Sequence, residues 1–247
     1  LLTLPKTIEV IRNEDEEDRL FEKTKVWLKA GNKQRDPRIH ASDLLDPRKA
    51  YWNRKHEEPM TNRMAGNFFV GKTLHAFFLT ALAGKTGTDL TDTDVGGTWD
   101  PSLQITYSND FQNKSGTIPG ELKTSRALNE QSKRDLLGYI EQLAIYMAAK
   151  KSLIGRLVVL RLMGKDTSKG YGSYPQYRAY QIEWTKKDLA AYRKEILATS
   201  KLLSRAIKTN KPTLLPLCRD WKCGKSNCGH WAECKPEGRT NDPKYNC

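Results

Sequence analysis

The sequence predicts an α/β chain folded as one globular unit, on three observations. Segments with apolar residues at helical spacing alternate with short β-rich stretches. A hydrophobic share of 38% over 247 residues is enough for a sizeable core. No apolar run is long enough to span a bilayer, and no signal peptide is in view, so a soluble, cytoplasmic chain without a membrane partner is expected.

Taken in order, helices are expected near 14–30, 41–56, 61–83, 127–151 and 185–209, and strands near 96–100, 103–108, 117–124, 154–163 and 176–184. The acidic run Asn13 to Asp18 suits the N-terminus of the first helix, where the macrodipole favours negative charge. Leu136, Ile140, Leu143 and Met147 recur at helical spacing in the fourth. Thr185 followed by Asp188 at the third helical position makes a capping box for the fifth. Gly164 to Pro175, rich in Gly, Ser and Tyr, is read as the loop of a hairpin. The expected segmentation is an N-terminal helical extension over 1–40, a core over 41–210 and a cysteine-rich segment over 211–247.

The chemistry centres on TIPGELKTS, residues 117–125, read as a strand. Residues two apart on a strand share a face, so Glu121 and Lys123 project together while Leu122 points back into the core. Asp100 precedes Glu121 by 21 positions, room for a hairpin that joins the two carboxylates. Such a pair, with a neighbouring imidazole or carbonyl, makes an oxygen-rich site for Mg²⁺ or Mn²⁺. Glu-x-Lys by itself is also the pattern of an exposed strand with alternating charges, and it recurs at Glu233 and Lys235.

Gln142 and Tyr146, four apart on a helix, share one face, where an amide and a phenol can hold a phosphate or a base. A second Gln-x-x-x-Tyr, Gln176 to Tyr180, falls on a strand and is read as chance. His75 lies in an apolar helical stretch, ordinarily the setting of a core histidine. Gly66 to Thr73 in the same stretch matches the phosphate-loop pattern, but bulky Phe68, Phe69 and Val70 and a helical context argue against an ATP site.

Cys218, Cys223, Cys228 and Cys234 are separated by four, four and five intervening-step positions of chain, too clustered for scattered core thiols, and Cys247 is a spare. In an intracellular chain such a run reads as metal-binding rather than disulfide-bonded. Four thiolates suit Zn²⁺ or an iron–sulfur cluster, and the long gaps favour the bulkier cluster. His230 could substitute as a ligand, but with four cysteines present it is read as a residue beside that site or on the surface. Lys and Arg number 42 against 29 Asp and Glu, a formal net charge of +13 that attracts phosphate backbones. Arg48-Lys49, Arg54-Lys55 and Lys201 to Lys211 are candidate positions on a DNA path.

Together Gly71 with His75, Asp100, Glu121 with Lys123, Gln142 with Tyr146, and the closing cysteines resemble the PD-(D/E)XK nucleases of the RecB-like group. The nearest likeness is to the CRISPR-associated RecB-like iron–sulfur exonucleases. Ala41 to Arg54 resembles that family's entry helix, although Leu45-Asp46-Pro47-Arg48 lacks the cysteine that relatives carry there. The resemblance implies a restriction-endonuclease-like core over 41–210, a central mixed sheet flanked by helices. It implies a Mg²⁺- or Mn²⁺-dependent deoxyribonuclease, an exonuclease on single-stranded DNA or DNA ends. Asp100, Glu121 and the Leu122 carbonyl would bind the ion with His75, Lys123 would assist, and Gln142 and Tyr146 would position the strand. A [4Fe–4S] cluster on Cys218, Cys223, Cys228 and Cys234 is implied, with Zn²⁺ as alternative, and other DNA-processing proteins are possible partners. The competing class is a non-catalytic DNA-binding or assembly subunit, which would be expected to have lost an acidic residue or Lys123.

Overall fold

The structure, a computed structural model, describes residues 14–31, 37–56, 62–83, 90–92, 97–126, 136–165, 173–218 and 228–234. The chain divides into two compact units, and the division does not follow chain order. One comprises 1–35 with 60–72, the other 36–59 with 73–247. In the first, α1 (Glu14–Gly31) carries exposed Leu20 and Val26 and an Lys25–Glu22 pair one turn apart. The 41–56 segment is a 3-10 turn (Ala41–Leu44) followed by α2 (Pro47–Asn53), with proline at the position where a helix tolerates it. Helix α3 (Asn62–Ala83) contributes its first eleven residues to the first unit and the rest to the second. Gly66 to Thr73 lies inside this helix, so its amides are engaged in helical hydrogen bonding and no phosphate loop forms.

The second unit is built on a mixed sheet. Its strands are β1 (Leu90–Asp92), β4 (Phe111–Asn113), β5 (Pro119–Ser125), β6 (Ile154–Lys165) and β7 (Ser173–Glu183), in the order β1-β4-β5-β6-β7. Only β5 and β6 run parallel, Glu121 opposite Leu157 and Lys123 opposite Val159. A parallel pair needs a crossover, and α4 (Leu137–Ala149) supplies it. The remaining pairs are antiparallel. Strands β2 (Thr98–Asp100) and β3 (Ile105–Tyr107) match the expected β segments but form a separate two-stranded sheet.

Packing gives layers. Leu143 and Met147 of α4 cover Leu157 and Val159 on one face of the sheet. Phe78 of α3 covers Phe111, Leu122 and Val158 on the other. On the far side of α4, Ile145, Tyr146 and Ala148 meet Ile196, Leu203 and Ala206 of α5 (Lys186–Thr209), together with Tyr51 of α2. Helix α5 opens as expected, with the Thr185 hydroxyl accepting from the Asp188 amide at 3.1 Å. These hydrogen bonds to Thr185 hold the Asp188 carboxyl below its ordinary range. Two glycines shape the β4–β5 hairpin, one in its turn and one within β5. Gly116 adopts φ +71°, and a Cβ on Gly120 would collide with the Phe111 ring. Lys150 pins the same turn, donating to Gln112 Oε1 and the Gly116 carbonyl.

Candidate active site

Strand β5 carries the site, and the pleat distributes its residues as the sequence predicts. Glu121 and Lys123 face α4 with Leu157 and Val159, while Leu122 packs with Phe78 on the opposite face. Glu121 is fully buried, at 0% exposure. Its Oε1 pairs with Lys123 Nζ, and among the described residues no hydrogen bond reaches Oε2. Burial first, then the charge of Asp110, raise the Glu121 carboxyl from 4.5 to about 8 against the lowering pull of Lys123 and His75. Burial opposes charge on Lys123, but Glu121 and Asp110 outweigh it and hold the ammonium above the ordinary lysine range.

The second carboxylate beside Glu121 is Asp110, not the expected Asp100. Asp110 stands just before β4, and its Oδ2 accepts from the Leu122 amide at 2.7 Å. Its Oδ1 lies 3.3 Å from His75 Nε2. Asp100 sits in the β2–β3 hairpin, where Oδ1 accepts from the Ser102 amide and hydroxyl and the Leu103 amide. Its other oxygen lies 3.9 Å from Arg193 Nη1. The physical reason is the extra strand. Paired with β5 through Phe111–Gly120, β4 occupies the place expected for the earlier hairpin. Asp110 escaped notice because NDFQNKSG is mostly turn-forming residues around a three-residue strand. Its signal was an acid eleven positions before Glu121, ahead of an aromatic.

From Lys123 the polar row continues into α4. Nζ donates to Gln142 Oε1 at 3.1 Å, and Gln142 Nε2 donates to the Tyr146 hydroxyl at 2.7 Å. The i, i+4 spacing thus joins the two side chains to each other. Tyr146 is only 4% exposed and packs in the core, 6.4 Å from the Tyr107 ring, with its hydroxyl against Gln142. Tyr107 itself is raised by burial and by Asp100. His75, Asp110, Glu121, Lys123, Gln142 and Tyr146 therefore form one connected series. Gln176, as expected, stays outside it and accepts from buried Arg161 at 3.3 Å.

Three features of this series fit a hard divalent cation: a fully buried carboxylate with an unbonded oxygen, a second carboxylate held beside it, and an imidazole on the second. Beyond Gly120 strand β4 no longer pairs with β5. Because N–H and C=O of one strand residue point to the same side, the Leu122 carbonyl opens on the edge where its amide meets Asp110. Lys123 Nζ and His75 Nε2 stand against the carboxylate oxygens in this state, and among the described residues no three His, Cys, Asp or Glu side chains converge as a ready metal site.

Cys218 and Cys234 are buried and Cys228 is half-buried, while Cys223 and Cys247 lie outside the described residues. Among the described residues no three cysteine, histidine or acidic side chains gather as a metal site, and Cys223, one of the expected four ligands, lies outside them. Helix α2 and the 215–234 segment are held together through Arg48 and Asn53. Arg48, on the entry helix α2, donates to the Leu215 carbonyl through Nε at 2.9 Å and Nη2 at 2.5 Å. Its Nη1 reaches Cys234 Sγ at 3.8 Å, and His230 Nε2 bonds Asn53 Oδ1 at 2.6 Å. Arg48 and Arg54 are therefore engaged internally. Arg54 donates to the carbonyls of Pro37 and Arg38 and pairs with Asp43 at 2.8 Å.

No protein-family model matches the sequence, and no curated protein does. Among solved structures, the crystal structure of SSO0001 superposes with a TM-score of 0.57 at 16% identity, covering 90% of this chain and 97% of that one. At that identity the likeness is one of fold. An alkaline exonuclease from Laribacter hongkongensis superposes at 0.48 and 17% identity, over 70% of this chain and 91% of that one. A phage-related exonuclease from Haemophilus somnus 129PT gives 0.45 and 13%, over 69% and 82%. Overlaps of that extent establish neither fold nor activity for this chain.

Proposed function

We propose that this protein is a divalent-metal-dependent deoxyribonuclease that hydrolyses phosphodiester bonds at DNA ends or in single-stranded DNA. The observation that carries this reading is the buried Glu121 carboxylate with Asp110 and Lys123 beside it. A fully buried carboxyl in a like-charged pair is costly as structure alone, and such cost is concentrated at functional sites. In this reading Glu121, Asp110 and the Leu122 carbonyl hold Mg²⁺ or Mn²⁺, with His75 as a further ligand. The imidazole makes Mn²⁺ well suited.

The ion, when bound, supplies Lewis acidity toward the scissile phosphate and a bound water of lowered pKa. Lys123, released from Glu121, orients the attacking water and stabilises charge developing on the phosphate oxygens. Gln142 fixes the Lys123 ammonium, and Tyr146 fixes Gln142. The RecB-like character of the motif order and a metal staple at Cys218, Cys223, Cys228 and Cys234, of iron–sulfur or zinc, are part of the same proposal. Metal and sulfide analysis of anaerobically purified protein tests the staple independently of the nuclease.

The test of activity is purified protein with end-labelled single- and double-stranded DNA in Mg²⁺, Mn²⁺ or EDTA. Metal-dependent cleavage lost in Glu121→Gln supports the reading. Cleavage insensitive to both EDTA and this substitution overturns it. DNA binding without cleavage under every metal would favour the non-catalytic subunit.

A further inference from the structure

The cations expected on a DNA path are not equivalent once folded. Arg48 and Arg54 are spent on carbonyls and Asp43, whereas those of α5 stand in solvent. Lys187, Lys194, Lys201 and Lys208 recur every seven residues along this helix, and all four are exposed, as is Arg205. At 3.6 residues per turn, seven residues return nearly to the same angle, so the five cations fall within a sector of about 60°. That sector lies roughly 160° round the helix from the buried line through Leu189, Ile196 and Leu203. Ala190, Ala191 and Ala198 fill the space between the first three lysines.

The acids of α5 keep to another face. Glu195 lines a cavity of about 330 Å³ with Asp46 and Glu141, beside α2 and α4. Asp188 is turned back to Thr185 in the capping box. Among the described residues, none of Lys187, Lys194, Lys201, Arg205 or Lys208 makes a side-chain ion pair within 4.0 Å. The outcome is a row of positive charge about 32 Å long without a side-chain ion pair, close to one turn of duplex DNA.

We infer that this row is a second DNA-contact surface, holding the sugar–phosphate backbone of the duplex that flanks the cleavage point. The inference rests on the nuclease reading for its choice of polyanion. Helix α5 packs on α4, whose other face meets the sheet, so the row stands about two helix layers of 8–10 Å from Lys123. It therefore contributes to binding of long substrates and not to the chemical step. A rigid helix presenting four lysines at fixed intervals suits a duplex, whose phosphates are themselves fixed in space.

The experiment is anisotropy of a fluorescent 30-base-pair duplex titrated with protein in EDTA over a range of KCl. The stripe variant carries Lys187→Gln, Lys194→Gln, Lys201→Gln and Lys208→Gln. The charge-matched control carries Arg19→Gln, Lys23→Gln, Lys114→Gln and Lys151→Gln, all at exposed positions. Losing four phosphate contacts should flatten the slope of log K against log salt by about 3 to 4, and weaken binding roughly a hundredfold between low and moderate salt. The control should change the slope by less than about 1. Hydrolysis of bis(p-nitrophenyl) phosphate, too small to reach the row, should be equal in wild type and stripe variant. Equal loss in the two variants, or an unchanged slope in the stripe variant, overturns the inference. So does a stripe that controls binding to phosphatidylserine vesicles but not to DNA. Because binding is read without metal, a protein that never cleaves can still show the stripe-dependent slope, which separates the two failures.

Discussion

The side chain of Asp110 accepts a hydrogen bond from the backbone amide of Leu122, at 2.7 Å. This contact ties the acid to the strand that carries Glu121 and Lys123, and it sets Asp110 rather than Asp100 as the second carboxylate.

The two aspartates should separate cleanly on substitution. Asp110→Asn should lower cleavage by about a hundredfold, since it weakens a metal ligand and even the groups that orient ligands are worth about 10–100-fold. Asp100→Asn should keep activity within about tenfold while losing about 1 kcal/mol of stability, because it removes acceptor strength from one turn. Cleavage assays beside urea denaturation check both. A dead, fully stable Asp100→Asn would defeat the assignment.

Glu121 makes the metal-free protein sensitive to pH in a definite direction. Its carboxyl is raised from 4.5 to about 8, so the folded state binds the proton more tightly than the unfolded one. The resulting stability is fully present below pH 4.5 and is lost as pH rises toward about 8. Melting temperature in EDTA should fall across that window, and Glu121→Gln should flatten the fall. Metal affinity should rise over the same interval, since the ion competes with that proton. A melting profile identical in wild type and variant would refute the raised carboxyl.

Gln142 and Tyr146 should differ in consequence although they bond each other. Gln142→Ala removes the acceptor that fixes Lys123, and kcat should fall about tenfold to a hundredfold with little change in KM. The alkaline limb of the pH–rate profile should shift, because Lys123 loses a partner. Tyr146→Phe leaves the core packing and should cost less than about tenfold, with stability down by about 1 kcal/mol. A larger effect from Tyr146→Phe than from Gln142→Ala would place the phenol on substrate.

Arg48 bridges the entry helix and the C-terminal segment while 5% exposed. Arg48→Met should destabilise the protein by about 2–3 kcal/mol, as the Leu215 carbonyl loses both charged donors. Arg48→Lys should recover only part of this, since an ammonium does not reproduce the planar fork. Guanidinium denaturation of the two variants measures the difference. If the cysteines hold a metal, chelation should lower the melting temperature further in Arg48→Met than in wild type.

The sequence by itself determined the elements that depend on local pattern. Period 2 put Glu121 and Lys123 on one face of β5, period 3.6 brought Gln142 and Tyr146 together, and the Thr185–Asp188 cap was legible from two side chains. A helical Gly66 to Thr73 could also be read, because bulky Phe68, Phe69 and Val70 suit a helix and not a phosphate cradle. Only the tertiary structure decided which acid joins Glu121. Asp100 and Asp110 both precede it at workable distances, and the choice turned on whether a three-residue strand inserts beside β5, a matter of register and of Gly120 admitting the Phe111 ring. The same holds for the cations. Arg48, Arg54 and the α5 lysines look alike in sequence, but backbone carbonyls and Asp43 capture the first two, and helical phase leaves the lysines facing water.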